Sequence, residues 1–238
     1  MIQKFLQLYK EAFGDAAPLP IAFGYSHTAA TEVHKVPHCM IGAIHKVCNG
    51  GSLTLTVDNV LCGGGSLYTR FAPMQERIPL FVSETEHYKQ TPEQVKGYIA
   101  NLNISLTEKP YLNFIRMNQL STLDEIEGIL FFATPDILSG LCSWAFYDNN
   151  ADDAVCTKFA SGCYSIITFA VQENQKQGRS CFIGMLDPSA RPLVPANELT
   201  FVIPSHRFHE MLQTMEHSAL FRKAYSIVKK RINGETGK

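Results

Sequence analysis

The chain has 238 residues, of which 45% are hydrophobic and 18% are charged, as is typical of a globular protein with a sizeable buried core. A formal net charge of −1 argues against a nucleic-acid-binding protein, which needs a basic surface. The amphipathic first segment does not have the pattern of a signal peptide, and no apolar run approaches the roughly 20 residues of a membrane span, so we expect a cytoplasmic protein with neither nucleic-acid nor membrane partners.

The first half of the chain predicts helices and strands in alternation. In chain order they are a helix at 1–14, a strand at 18–25, a helix at 36–51, strands at 52–60 and 77–83, and a helix at 91–102. Pro37 falls in the first turn of the second helix and Gly50 follows its end. Thr91 and Gln94 form a capping box at the start of the third helix.

The second half predicts a similar series. It consists of a strand at 127–134, helices at 135–147 and 161–178, strands at 181–186 and 198–204, and one or two helices at 205–230. These elements indicate an α/β (α+β) protein, with a mixed sheet flanked by helices. Residues 108–114 and 149–154 are candidate boundaries between the two halves of the chain, but we expect one domain, 1–238, because no long linker divides the halves.

The two halves, 1–120 and 121–238, share a pattern of cysteines. Cys39 and Cys163 each lie near the start of a helix that ends in glycine, and Cys62 and Cys181 follow with glycines after them. A whole strand separates Gly51 from Cys62, whereas two residues separate Gly178 from Cys181. Both a duplication and a chance likeness of two α/β segments are therefore open.

The seven cysteines are candidates for chemistry. An odd number does not suggest a disulfide framework and favours free thiols in a reducing compartment. The helix dipole is expected to lower the pKa of Cys39 and Cys163. If the halves pack together, Cys39, Cys62, Cys163 and Cys181 converge on one cleft. Four thiolates suit an iron–sulfur cluster or zinc and two suit redox exchange, while the alternative is that the thiols only fill the core.

A cluster of histidine and cysteine in the second helix also suggests a metal. It comprises His34, His38, Cys39, His45 and Cys48. At about 100° per residue, Cys39 and Cys48 lie on opposite faces of a helix, so the five side chains do not meet at one ion. We therefore do not expect zinc to be bound by this segment alone.

Two further segments suggest ligand contacts. Gly63, Gly64 and Gly65 follow a predicted strand and form either a tight turn or a loop whose N–H groups bind an anion. Arg191 stands among prolines, where it either makes a bidentate contact with a carboxylate or phosphate of a ligand or ties its loop to a nearby acid.

The segments "CGGGSLYTRF", "GILFFATPDIL", "SGCYSIITF", "CFIGMLDPSAR" and "LTFVIP" resemble an uncharacterised bacterial and archaeal family known as domain of unknown function 169. The resemblance extends from about Pro20 to Met215. It implies a soluble α/β domain whose cysteines bind a metal or a redox cofactor, and its pattern includes Cys39, Cys62, Cys163 and Cys181. It implies no reaction.

Three hypotheses for function follow. The first is a protein that holds a metal centre or cofactor in a cleft between the halves, with the four cysteines as ligands and Gly63–Gly65 and Arg191 contacting an anionic group. The second is a thiol-based enzyme with Cys62 or Cys163 as nucleophile. The third is a metal-free domain that binds a small molecule or is purely structural. The sequence leaves the oligomeric state open.

Overall fold

The computed structural model describes residues 1–36, 39–158 and 161–235. Its centre is one seven-stranded sheet with the order β2-β3-β1-β4-β7-β6-β5. The strands are Ile21–Ser26 (β1), Ser52–Leu55 (β2), Tyr111–Arg116 (β3), Gly128–Ala133 (β4), Val155–Cys156 (β5), Cys181–Gly184 (β6) and Leu199–Pro204 (β7). Neighbouring strands are antiparallel except β5 and β6, which are parallel. The predicted mixed sheet is thus confirmed.

Helices cover both faces of the sheet. They are Ile2–Phe13 (α1), Met40–Lys46 (α2), Gly63–Tyr68 (α3), Ile78–Leu80 (α4), Pro92–Asn101 (α5), Pro135–Phe146 (α6), Phe169–Gln175 (α7), Ser205–Thr214 (α8) and Lys223–Ile232 (α9). A π-helical turn, Phe81–Thr85, extends α4, and another, Tyr164–Thr168, precedes α7. Short 3₁₀ turns lie at Val47–Asn49, Met117–Gln119, Arg191–Leu193, Met215–His217 and Ala219–Phe221.

Each face of the sheet has its own hydrophobic core, because side chains of a strand alternate between faces. On the first face α2, α3, α5 and α7 pack over residues such as Phe23 and Phe114. On the second face α1, α6, α8 and α9 pack over residues such as Phe131 and Phe201. The β1–β4 pairing joins the strands of the two halves, so one sheet runs through both.

The expectation of a strand at 77–83 is wrong. Ile78, Leu80 and Val82 alternate with other residues as in a strand, yet the segment is helical from Ile78 to Thr85. Pro79 is compatible with the first turn of a helix, and its carbonyl accepts a hydrogen bond from the Ser83 hydroxyl at 2.7 Å. This helical segment crosses the first face and closes over the cavity described below.

Strand β3 occupies part of the segment 108–114, which the sequence suggested as a boundary. Its polar Asn113 hides the pattern of a buried strand, because the amide is satisfied inside the sheet. Asn113 Oδ1 accepts a hydrogen bond from Thr54 Oγ1 on β2 at 2.8 Å, and its Nδ2 donates to the Thr28 carbonyl at 2.9 Å. Strand β5 was likewise not predicted.

The bounds of two predicted elements are also corrected. The predicted strand at 52–60 ends at Leu55, since Thr56 and Asn59 bond to each other in a turn. The helix predicted at 36–51 begins at Met40 and continues as a 3₁₀ turn. Its expected first turn at Pro37 lies outside the described residues. The segment 205–230 forms two helices, α8 and α9.

The likeness of the two halves is limited to the order of the strands. The first strands of the two halves, β1 and β4, lie at the centre of the sheet. Beside each lies the last strand of its half (β3 or β7), and beyond that an earlier strand (β2 or β6). Helices α2 and α6, which follow the two central strands, lie on opposite faces of the sheet.

Candidate thiol site in a cavity

A cavity of about 560 Å³ opens on the first face of the sheet. Its volume falls within the range that small-molecule sites occupy. Cys39, Cys62 and Cys163 lie in its wall, and it is called the thiol cavity below. Its apolar lining includes Ile41, Tyr68, Val82, Val95, Tyr98 and Ile99. The helical segment Ile78–Thr85 and α5 cover it, so the misassigned strand is part of its roof.

Cys39 and Cys163 come from the two halves of the chain and meet in this wall. Cys39 is the residue before α2, with an extended backbone. Cys163 lies in a helical segment that Ser161 caps at its start. The Ser161 Oγ accepts a hydrogen bond from the Tyr164 N–H at 3.2 Å. Gly162, the residue before Cys163, lets this segment approach α2 closely. A Cβ at this position would stand 3.2 Å from Ile41 Cδ1. The side chains of Cys39 and Cys163 are neighbours in this wall, and the Cys163 thiol acts as a hydrogen-bond donor toward Cys39 in setting the pKa values of the pair.

This contact makes Cys39 the more acidic thiol of the pair. The hydrogen bond from Cys163 is the main cause that lowers the pKa of Cys39 to about 7, and the Ile41 N–H lowers it further, against the opposing effects of burial and the charge of Asp187. An ordinary cysteine has a pKa near 8.5. A substantial fraction of Cys39 is therefore thiolate, the nucleophilic form, near neutral pH.

Cys163 is the complementary member of the pair. It is buried, and its pKa is raised well above the ordinary value by the hydrogen bond to Cys39, by burial and by the charges of Cys39, Cys62 and Asp187. The expectation that a helix start lowers the pKa of Cys163 is therefore wrong. Burial and the neighbouring thiolate outweigh any effect of the helix.

Cys62 is an exposed thiol of the same cavity. Its sulfur accepts the Gly65 N–H at 3.4 Å, which places it as the cap of α3. The triglycine expected as a turn or anion loop is instead the first turn of this helix. None of the three glycines has a positive φ, so their conformational freedom does not explain them.

Close packing explains two of these glycines. A Cβ on Gly63 would lie 2.8 Å from Ile78 Cδ1, and one on Gly65 would lie 2.6 Å from Met40 Cε and 3.2 Å from Val60 Cγ1. Gly64 is different, since a Cβ there meets only Tyr68 at 3.9 Å. Gly63 and Gly65 thus let α3 approach its neighbours, while Gly64 lines the thiol cavity.

Three carboxylates, those of Glu84, Glu86 and Asp187, lie in the cavity wall, and sequence reasoning missed all of them. Asp187 is buried, and its Oδ1 accepts the Ser189 N–H at 3.0 Å and the Ser189 hydroxyl at 2.8 Å. Burial and Asp187 raise the pKa of Glu86. The Asp-Pro-Ser sequence signalled a turn at 187–189, but nothing in it signalled that the charge of Asp187 would act on Cys39 across the fold.

Other predicted site residues lie elsewhere. Cys181 is fully buried on the second face, where its thiol contacts Met211 Sδ at 3.8 Å. Arg191 is not in the cavity wall; its guanidinium donates to the carbonyls of Glu198, Pro195 and Ala196, so it ties its own loop. His45 Nε2 pairs with Glu198 Oε2 at 3.0 Å, and His38 lies outside the described residues.

The four predicted thiolate ligands therefore do not converge on one point, since the sheet separates Cys181 from the other three. Within residues 1–36, 39–158 and 161–235, no three His, Cys, Asp or Glu side chains are grouped as metal ligands. The remaining cysteines, Cys48, Cys142 and Cys156, have a raised pKa, with burial as the main cause.

These features define an α/β protein with a thiol-lined cavity. The family model described as Uncharacterised ArCR, domain of unknown function 169, matches residues 15–214, and the chain belongs to this family. This confirms the resemblance seen in the sequence. No curated protein and no solved structure matches the chain. In the described part of the chain, no helix has the length and apolar character needed to cross a membrane.

Proposed function

We propose that this protein is a thiol-dependent enzyme that binds a small molecule with an apolar body in the thiol cavity and uses Cys39 as its nucleophile. The observation that carries the proposal is the placement of Cys39 beside Cys163 in the wall of a cavity of about 560 Å³, where Cys163 lowers the pKa of Cys39. A reactive cysteine needs both a stabilised thiolate and access to a bound reactant.

The lining of the cavity supports the choice of ligand. Ile41, Val82, Val95 and Ile99 offer apolar contacts, and Tyr68 adds a ring above them. Burial of an apolar body against such side chains provides most of the affinity of small-molecule sites, while a few polar groups fix the orientation. The thiols and the charged side chains of Asp187, Arg77 and Lys89 are among the polar groups here.

The choice of nucleophile differs from the sequence hypothesis, which named Cys62 or Cys163. Cys163 is buried and its pKa is raised, so it is a poor first nucleophile. Cys62 is exposed and lacks a thiol donor among the hydrogen bonds of the described residues. The free thiols of the protein suit the reducing cytoplasm expected from the cysteine count.

The proposal is tested by alkylating the full chain with iodoacetamide and with N-benzyl iodoacetamide, and following each cysteine by peptide mass spectrometry. We expect half-maximal labelling of Cys39 at about pH 7, and a preference of Cys39 for the benzyl reagent. Gly64→Phe should fill the cavity and remove that preference. Gly97→Phe is the matched control, because Gly97 lies on the exposed side of α5 with open space around it.

Two results contradict the proposal. If Cys39 requires as high a pH as Cys142 and shows no benzyl preference, the thiols are packing residues of a metal-free domain. Elemental analysis of protein purified without oxygen tests the metal-centre hypothesis. Stoichiometric iron or zinc that is lost in both Cys39→Ser and Cys62→Ser would show that Cys39 is a metal ligand rather than a nucleophile.

A further inference from the structure

Cys39 and Cys163 are arranged as a pair rather than as one reactive thiol with a neutral neighbour. Both residues lie in the wall of the thiol cavity, and each alters the pKa of the other. The packing of Gly162 against Ile41 holds their two segments together. A disulfide needs an S–S distance of about 2 Å and Cβ atoms about 3.8 Å apart, so the pair must approach this geometry when it is oxidised.

We propose that Cys39 and Cys163 form a redox-active dithiol that reduces a small organic disulfide bound in the thiol cavity. This inference rests on the proposed thiol-dependent function and names its reaction and substrate class. Cys39 is the attacking thiol because it is the thiolate and lines the cavity. Cys163 is the resolving thiol because it is the more buried of the two and its pKa is raised.

The reaction has two exchange steps. The Cys39 thiolate attacks one sulfur of the bound disulfide, so that a new S–S bond forms, the substrate S–S bond breaks, and one small thiolate leaves and takes a proton. Cys163 then loses its proton to solvent and attacks Cys39. The Cys39–Cys163 bond forms and the mixed disulfide breaks, which releases the second small thiolate for protonation. The substrate gains two electrons and two protons, and the dithiol loses both.

The causes of the Cys163 pKa favour this order. Its first cause is the hydrogen bond to Cys39, and the thiolate charge of Cys39 is another. Both vanish once Cys39 is in a mixed disulfide, so Cys163 then loses its proton more easily than in the reduced protein. The resting protein thus has one thiolate at a time, and the second forms when it is needed. Attack is fastest for thiols with a pKa near the ambient pH.

The experiment uses the full chain, reduced and kept without oxygen, and hydroxyethyl disulfide as the substrate probe. After acid quenching and alkylation, peptide mass spectrometry should show a Cys39–Cys163 disulfide and the release of two small thiols for each disulfide consumed. Cys163→Ser should accumulate the mixed disulfide on Cys39. Cys142→Ser, a change on the opposite face of the sheet, should behave as the unchanged protein.

The outcomes separate this inference from the proposed function. A mixed disulfide that persists on Cys39 in the unchanged protein, with Cys163 still a thiol, overturns the dithiol and leaves Cys39 as a nucleophile. A stable disulfide that includes Cys62 also overturns the assignment of the pair. If Cys39 reacts neither with the probe nor with alkylating reagents, the proposed function fails too. The mapping of disulfides in the unchanged protein tests the inference even if a variant does not fold.

Discussion

Cys39 and Cys163 come from opposite halves of the chain and lie in the wall of the same cavity, where each alters the pKa of the other. Cys39 precedes a helix that follows β1, and Cys163 begins a helical segment between β5 and β6. The chemistry proposed for this protein therefore depends on the packing of α2 against that second segment.

Cys163→Ala is expected to raise the pKa of Cys39 toward the ordinary cysteine value of about 8.5, because it removes the hydrogen-bond donor. The pH at which iodoacetamide labels Cys39 at half its maximal rate should then rise from about 7. Cys163→Ser keeps a donor and should shift the profile less. An unchanged midpoint in the alanine variant would show that Cys163 does not stabilise the thiolate.

Asp187→Asn is expected to shift the same profile in the opposite direction. The negative charge of Asp187 raises the pKa of Cys39, so its removal should lower that pKa and increase the labelling of Cys39 on the acidic side of neutrality. Glu84→Gln is the control, since Glu84 lines the same cavity but is not among the groups that shift Cys39. Equal effects of the two variants would contradict a specific effect of the Asp187 charge on Cys39.

The chain order of most elements follows from local patterns, as α6 and the strand Gly128–Ala133 illustrate. The segment 77–83 was predicted wrongly because the alternation of Ile78, Leu80 and Val82 fits a strand. Its helical form depends on tertiary packing over the cavity, which the local pattern does not show. The sequence predicted that Cys39 and Cys163 converge only on the condition that the two halves pack together. Cys181 could not be placed, because the register of β6 against β7, Phe182 opposite Val202, decides which face its side chain takes.

The two packed glycines of α3 predict a contrast in stability. Gly65→Ala should lower the free energy of unfolding by about 1–3 kcal/mol, since its Cβ overlaps Met40 and crowds Val60. Gly64→Ala should be tolerated, because its Cβ meets only the Tyr68 ring at van der Waals distance. Urea denaturation of both variants measures the difference. Equal destabilisation would mean that close packing is not the reason for Gly65.

An ion-pair network on the second face predicts a pH-dependent stability. The Arg207 guanidinium is fully buried and bonds to Asp148 and to Glu210, the latter at 2.8 Å. Burial alone would raise the pKa of Asp148, but the hydrogen bond and charge of Arg207 and the charge of Arg179 outweigh it, so this pKa is lowered. A lowered pKa means that the unfolded chain binds a proton more readily than the folded one.

Asp148→Asn should therefore cost about 2–3 kcal/mol of stability near neutral pH, less than a fully buried pair because Asp148 retains solvent contact. The contribution of Asp148 is present above its unfolded pKa of about 3.9 and is lost as the pH falls through the lower folded value. In urea titrations the difference in the free energy of unfolding between the variant and the unchanged protein should thus become smaller below about pH 4. The exposed Asp152→Asn is the control and should show no gap at any pH. A gap for Asp148→Asn that does not change with pH would show that its cost comes from packing rather than from the charge.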